Sequence, residues 1–245
     1  MAEPARKKRR ARDSLSRDVI LEAAEAVAVR EGLDGLTFQA IGRELDAHPT
    51  SVYRHFRDKD ELVLELIDAL RSRSYGGDLV PSDDWRADLR LAAHTVHEHY
   101  LRYPAFAQQM ASRTTRRPRE FANVDFILGA LRRAGLSAET AASCARAYGN
   151  MTRAMCGMEA SLNDLPETTR IADETSWQVE YRQLSADDYP NIAAVGDHLA
   201  SIGDPRIFSV AVELMLDGIE AVVAREASSG KGGKARSRTT RPRKT

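Results

Sequence analysis

Between Thr37 and Lys59 the chain reads TFQAIGRELDAHPTSVYRHFRDK, where hydroxyl, imidazole, phenol and guanidinium groups crowd around two apolar residues four apart, Val52 and Phe56. These side chains donate and accept hydrogen bonds at the edges of nucleic-acid bases, and an arginine can meet guanine with two bonds at once. If Val52 and Phe56 turn inward, His48, Thr50, Ser51, Tyr53, Arg54 and His55 are left on the outer face of a short helix. A helix of that size fits the major groove of B-form DNA. Thr37 and Lys59 stand at the starts of the flanking helices, where backbone N–H groups favour phosphate, so these two should position rather than specify.

The elements that must hold this face are helical. Apolar residues fall at Ile20, Ala24, Val27 and Ala28, at Phe38, Ile41 and Leu45, and at Leu62, Leu66 and Ile67, spaced by three and four rather than two. Ser16 can cap a first helix ending near Gly32, Thr37 a second, and Asp58 with Glu61 can open a fourth as a capping box. The third runs from about Pro49, a favoured first-turn residue, to Phe56. Two glycines and a proline in Tyr75–Asp83 mark a boundary, giving a unit at 16–74 and a larger one at 84–227. The larger unit should contain helices at about 84–103, 120–134, 138–162, 187–201 and 204–227, with a polar loop at roughly 163–186. The last helix is apolar on most of its circumference and therefore needs burial on most sides.

The 245 residues carry 36 basic and 36 acidic side chains, yet that balance hides segregation. Residues 1–17 hold seven basic and two acidic groups, and residues 228–245 hold seven basic and none acidic. The body between is strongly acidic. Basic ends on an acidic body suggest a polyanionic partner, and both ends (1–15 and 228–245) read as disordered. The cluster Arg6–Arg10 would reach phosphates or a minor groove beside the main contact. No run of about 20 apolar residues and no secretory signal is apparent, so a cytosolic protein is expected.

Residues 16–70 resemble the DNA-binding domain of the TetR (tetracycline repressor) family of bacterial transcription regulators. The likeness rests on the alanine-rich first helix, the Gly32-Leu33-x-x-Leu36-Thr37 lead into the second, Tyr53-x-His55-Phe56, and Lys59-x-x-Leu62. It implies an all-α protein with DNA contacts from Thr37, Gln39, His48, Thr50, Ser51, Tyr53, Arg54, His55 and Lys59. The chain departs from the family in the turn, where Asp46-Ala47-His48-Pro49 lacks the usual glycine.

The C-terminal half resembles the ligand-binding and dimerisation domain of the tetracycline-repressor branch through Trp85, Ala134-Gly135-Leu136-Ser137, Asp188-Tyr189-Pro190 and the run Phe208–Ile219. That likeness implies a pocket for a small-molecule effector and a homodimer through helices near 138–162 and 204–227. Small residues Ala141, Ala142, Ser143, Ala145, Ala147 and Gly149 on the first of these permit close helix approach. Candidate pocket walls are Phe106, Met110, Phe126, Met151, Met155 and Trp177, although such residues also build cores. Where tetracycline repressors hold an asparagine and a magnesium-binding histidine, this chain has Ala92 and Met110, which argues against tetracycline with magnesium as effector.

Other chemistry finds little support. His94 and His97 lie about 60° apart on a helix but His99 points about 160° from His97, so the three cannot share a metal. Cys144 and Cys156 sit about 18 Å apart along one helix, too far to bridge, and read as buried reduced thiols. No nucleophile–base order, phosphate loop or cofactor motif stands out, so no enzyme, metal or cofactor is expected. The expected function is a ligand-responsive repressor released from a palindromic operator by a small molecule. The alternative is a helical small-molecule-binding or scaffold protein whose helix-turn-helix binds no DNA.

Overall fold

A computed structural model describes residues 15–75, 77, 79–200 and 203–236, with 230–236 described by backbone alone. Among these residues every regular element is helical. The α-helices are α1 (Arg17–Gly35), α2 (Phe38–Glu44), α3 (Pro49–Tyr53), α4 (Lys59–Tyr75), α5 (Trp85–Arg102), α6 (Ala107–Ser112), α7 (Pro118–Arg133), α8 (Ala138–Asn163), α9 (Glu167–Thr175), α10 (Pro190–Val195) and α11 (Arg206–Arg236).

The starts of these helices are written in short polar side chains. Ser16, Thr37 and Ser137 each accept a hydrogen bond from the amide three residues on, and Asp84 accepts from the amides of Arg86 and Ala87. The end of α7 needs a left-handed residue. Gly135 takes it at φ 97°, its amide donates to the Arg132 carbonyl, and the Leu136 amide donates to that of Leu131. Buried Leu131 and Leu136 close the apolar contact of this Schellman turn. Regular geometry in α1 breaks at Gly32, φ 73°, where the sequence places its end.

Several expectations need correction. The recognition helix α3 stops at Tyr53 rather than Phe56, because the His55 amide tightens onto the Val52 carbonyl at 2.9 Å in a 3₁₀-type closure. Pro104 ends α5 as expected, but a 3₁₀ turn at Pro104–Phe106 and then α6 follow where no helix was foreseen. The segment read as a loop at 163–186 contains α9, a π-turn at Ser176–Glu180 and a 3₁₀ turn at Tyr181–Gln183. It buries none of its side chains, so no apolar periodicity could announce it. The helix expected at 187–201 shortens to α10 and a 3₁₀ turn at Gly196–His198. Helix α11 continues through 228–236, the first half of the tail read as disordered, with Ser228 and Ser229 hydroxyls donating to the carbonyls of Ala224 and Arg225. An established helix elongates more readily than one nucleates. Residues 237–245 and the basic arm 1–14 lie outside the described residues.

The chain divides into two compact units, and the division is not a single cut. The first runs through Gly77 and also takes Arg113–Phe121; the second holds 79–112 and everything from Ala122. The expected unit at 84–227 is therefore interrupted. In the first unit, α1, α2, α3 and α4 enclose Ile20, Ala24, Val27, Leu36, Ile41, Val52, Phe56, Leu62, Leu66 and Ile67, all at or near zero exposure.

The second unit packs α5 and α6 on α8, with α11 against α5 and α8. Gly157 permits the α6–α8 approach, since a Cβ there would stand 2.9 Å from the Ala111 methyl. Buried Asp88 accepts from the Ser82 amide and hydroxyl and from the Arg133 guanidinium, fixing the start of α5 to the end of α7. Glu226 of α11 accepts from the Ser137 amide at 2.8 Å and from the Ser137 and Thr140 hydroxyls, capping the first turn of α8. The Thr140 hydroxyl above all holds that carboxylate below its ordinary range.

Candidate functional site

The recognition face is built from its two ends. Helix α2 stops in a Schellman turn: Asp46 adopts φ 51°, its amide donates to the Arg43 carbonyl, and the Ala47 amide donates to the Gly42 carbonyl at 2.9 Å. Aspartate is among the few side chains that tolerate this left-handed geometry, so Asp46 replaces the glycine that the turn would otherwise require. Gly42 supplies the other requirement. A Cβ there would lie 2.8 Å from the Ala47 carbonyl oxygen and 3.4 Å from Pro49, so only glycine lets the chain fold back this tightly.

His48 then caps α3. Its Nδ1 accepts from the Thr50 amide at 3.3 Å and lies 2.9 Å from the Thr50 hydroxyl. Val52 and Phe56 are buried, as their spacing requires. Thr37, Gln39, His48, Thr50, Tyr53, Arg54 and Lys59 are exposed, and Ser51 and His55 half-buried. All nine expected residues belong to one compact unit, and none of them is buried.

Several of the nine already have intramolecular work. Thr37 caps α2 through the Ala40 amide, and His48 and Thr50 bond to each other. The Tyr53 ring meets Phe38 edge-on, centroids 4.5 Å apart, which orients the phenol while leaving 60% of the residue exposed. Lys59 Nζ donates to the Leu33 carbonyl at 2.5 Å, near the end of α1. An ammonium has three donors, so this bond leaves two for another acceptor.

The carboxylates at the start of α4 hold the turn after α3. Asp58 accepts from the Glu61 amide at 2.8 Å, and Glu61 reaches back to the Arg57 amide at 2.9 Å, one residue beyond the expected capping-box pattern. The Glu61 amide, followed by the Arg57 guanidinium, holds Asp58 below the ordinary carboxylate range. The Arg57 amide does the same for Glu61, with Arg17 adding to it.

Sequence reasoning missed Arg17, which bonds to the His55 carbonyl 38 residues away, and Gly42, whose close neighbours Ala47 and Pro49 are brought back onto it by the turn. It also missed the second stretch of chain in this unit. From 113–121, Arg113 pairs with Asp60 at 2.7 Å and Arg117 with Glu65 at 2.7 Å. The Arg119 amide donates to Asp68 at 3.1 Å, and buried Thr115 accepts from Arg71 at 3.3 Å. A later stretch of chain is laid along α4 by arginines whose density in RTTRRPRE is visible in the sequence.

The effector candidates all lie in the second unit. Phe106, Met110 and Phe126 are buried core residues of the second unit, Met151 and Met155 are half-buried on α8, and Trp177 stacks on Tyr181 at 4.6 Å in the segment after α9. His97 pairs with Glu159 at 2.6 Å and stacks on Phe208, which His94 also meets, while buried His99 turns toward Tyr100 and Tyr103. Among the described residues no cluster of three metal-ligating side chains occurs, and no helix is long and apolar enough to cross a membrane. Burial pushes the Cys156 thiol up to about 12 and raises Cys144 as well, although Cys144 is half-buried rather than buried as expected.

Comparison with known proteins divides the chain once, between residues 66 and 79, and so places 113–121 with the second part. Residues 20–66 match the family model of bacterial regulatory proteins, tetR family, and residues 79–223 match the tetracyclin repressor-like C-terminal domain. The HTH-type transcriptional repressor DrrR1 of Streptomyces coeruleorubidus is 25% identical over 215 residues, covering 86% of this chain and 79% of its own. An HTH-type transcriptional regulator of Saccharopolyspora erythraea is 25% identical over 224 residues, covering 90% and 91%. Apo ActR from Streptomyces coelicolor has the same fold at a TM-score of 0.73 with 21% identity, covering 86% of this chain and 98% of that one.

Proposed function

The chain belongs to the tetR family of bacterial regulatory proteins, and we propose that it is a dimeric repressor that holds a palindromic operator until a small molecule fills its second unit. The observation that carries the DNA half is the face of α3: Arg54 and Tyr53 stand exposed on a helix fixed at both ends. Arg54, Tyr53, His55, Ser51, Thr50 and His48 meet base edges, while Thr37, Gln39 and Lys59 meet the sugar-phosphate backbone. Names of relatives support repression, DrrR1 being a repressor.

The dimer is supported by apolar surface that no other described residue covers. Phe208, Val212, Leu216 and Ile219 of α11 are buried, yet Ile207, Val210 and Leu214 on another face stand 41%, 50% and 67% exposed. On α8, exposed Ala147, Ala154 and Met158 continue this pattern at helical spacing. A two-fold interface of these helices would present two α3 helices roughly 34 Å apart, one DNA turn.

Responsiveness is supported by the path of the chain. Residues 113–121 are bound to α4 by Arg113, Arg117, Arg119 and Thr115, yet continue covalently into α6 on one side and the rest of α7 on the other. An effector that shifts these helices would pull on α4 and thereby couple the two sites. ActR, which is similar in fold, has been solved in complex with actinorhodin, so that compound is the first to screen.

The test is binding of the full chain to duplex DNA from upstream of its own gene at two salt concentrations, with Arg54→Ala and Tyr53→Ala beside the wild type. Salt-sensitive binding that both variants weaken, with fold and dimer intact, is expected. Absence of any salt-sensitive binding would favour the scaffold alternative, and unchanged affinity in both variants would remove α3 as the reading element.

A further inference from the structure

By sequence, Arg17 is the last of the basic residues that lead into the first helix, one more cation for phosphate. The structure gives it different partners. Its Nη1 donates to the His55 carbonyl at 2.5 Å, and its Nη2 stands 3.3 Å from both Glu61 Oε1 and Glu65 Oε1. The guanidinium carbon lies 4.2 Å over the centroid of the Phe56 ring. One side chain thus joins the first residue of α1, the end of the recognition element and the first two turns of α4.

The place matters because α3 is short. A helix of five residues followed by one tightened turn has few internal bonds, and the carbonyls at its C-terminal end have no partner within it. The carbonyl that Arg17 takes is that of His55, next to Arg54, and the negative end of the helix dipole favours a cation there. His48 and the Schellman turn hold the N-terminal end of α3; Arg17 holds the other. The carboxylates it touches are themselves tied, Glu61 to the Arg57 amide and Glu65 to Arg117, so the anchor is braced from two sides.

Resting on the DNA-binding reading above, we propose that Arg17 is a positioning residue for operator recognition: it aims Arg54 and His55 by clasping the end of α3 to α1 and α4, and does not itself hold a phosphate. The two roles have opposite signatures. A phosphate contact contributes about 0.9 to the slope of log affinity against log salt on any duplex. A positioning contact leaves that slope alone and changes discrimination between operator and other DNA.

The experiment uses the full-length wild type, Arg17→Ala, Arg17→Lys and Glu65→Gln. Probes are a duplex selected by the wild type from a random pool and an unrelated duplex of equal length, titrated across a salt series below the melting temperature of each variant. Arg17→Ala should lose about tenfold on the selected duplex, the worth of one charge-assisted hydrogen bond, with little change on the unrelated one and an unaltered salt slope. Arg17→Lys, which keeps the charge but not the fork, should recover less than half of that loss on a logarithmic scale. Glu65→Gln should weaken selected-duplex binding in the wild type and add nothing in Arg17→Ala.

Equal losses on both duplexes with a flatter slope, or a Glu65→Gln variant that binds more tightly because a cation has been freed, would overturn the proposal. Partial unfolding would lower both affinities together and cannot mimic a selective loss. A wild type that selects no duplex overturns the regulator reading and this proposal together, whereas a wild type that selects one which Arg17→Ala still prefers equally overturns this proposal alone.

Discussion

Gly42→Ala tests the geometry of the recognition turn most directly. The added methyl carbon would lie 2.8 Å from the Ala47 carbonyl oxygen, and reaching ordinary contact requires a displacement of about 0.6 Å. The obstacle is backbone, so no side-chain rotation relieves it. Two opposing effects decide the sign. Alanine is favoured over glycine inside a helix by about 1 kcal/mol. Overpacking of a tight site costs about 1–3 kcal/mol, and the displaced carbonyl belongs to the residue whose amide bonds to Gly42, so that bond, worth about 1 kcal/mol, is strained as well. The unfavourable effects win by about 1–2 kcal/mol, which for a unit of this size lowers the melting temperature by about 5–10 °C. Operator affinity should fall further than stability, because the strain is released by moving Pro49, the first residue of α3. Amide exchange across residues 38–56 reads the local loss, and binding to a selected duplex reads the displacement. A variant that melts at or above the wild-type temperature and keeps its affinity would refute the close approach at this turn.

Asp46→Gly should stabilise the first unit by up to about 1 kcal/mol in denaturant titration and Asp46→Ala should destabilise it, since only the former relieves the positive φ. Leu214→Glu, at a side chain the single chain leaves exposed, should keep the helical spectrum while turning a dimer into a monomer by light scattering and abolishing operator binding; a stable dimer would contradict the α8–α11 interface. Asp58 and Glu61 have folded values below the ordinary carboxylate range, so their contribution is complete above the unfolded value near 4 and is lost as pH falls through the lower folded values. Amide exchange around 57–62 should therefore accelerate below about pH 4 in the wild type, and that added acid sensitivity should shrink in a variant carrying Asp58→Asn and Glu61→Gln. Deletion of residues 1–12 should flatten the salt dependence of DNA binding while preserving sequence preference, and an unchanged slope would show the arm idle.

What could be read from the sequence was local. Val52 and Phe56 four apart, and Ser16 and Thr37 ahead of apolar periodic residues, each state their own conformation, and α1 and α2 start where those caps put them. Asp46 was suspected only for not being glycine; its φ shows that the turn's requirement is a tolerated left-handed residue, which aspartate meets. What escaped was set by neighbours distant in sequence or by the absence of burial. Helix α6 is six residues long, too short to show a period, and α9 buries nothing.

The charge count changes meaning once partners are assigned. A cation in a basic stretch is fully available to DNA only if the fold has not already engaged it, and here the Arg17 guanidinium holds the His55 carbonyl and meets Glu61 and Glu65, whereas Lys59 spends only one of its three donors on the Leu33 carbonyl. The reverse holds along α4. Its acidic groups Asp60, Glu65 and Asp68 would add to the repulsion of phosphate if the first unit ended at its contiguous boundary, but Arg113, Arg117 and the Arg119 amide meet them from 113–119. Burial raises Asp68 above its ordinary range, with the Arg119 amide and then Arg71 opposing that shift. The first unit is therefore completed by a piece of chain that comes after α6 in sequence and includes the first turn of α7. Replacing Arg113 and Arg117 by alanine should leave Asp60 and Glu65 without these partners, which is how that completion can be tested.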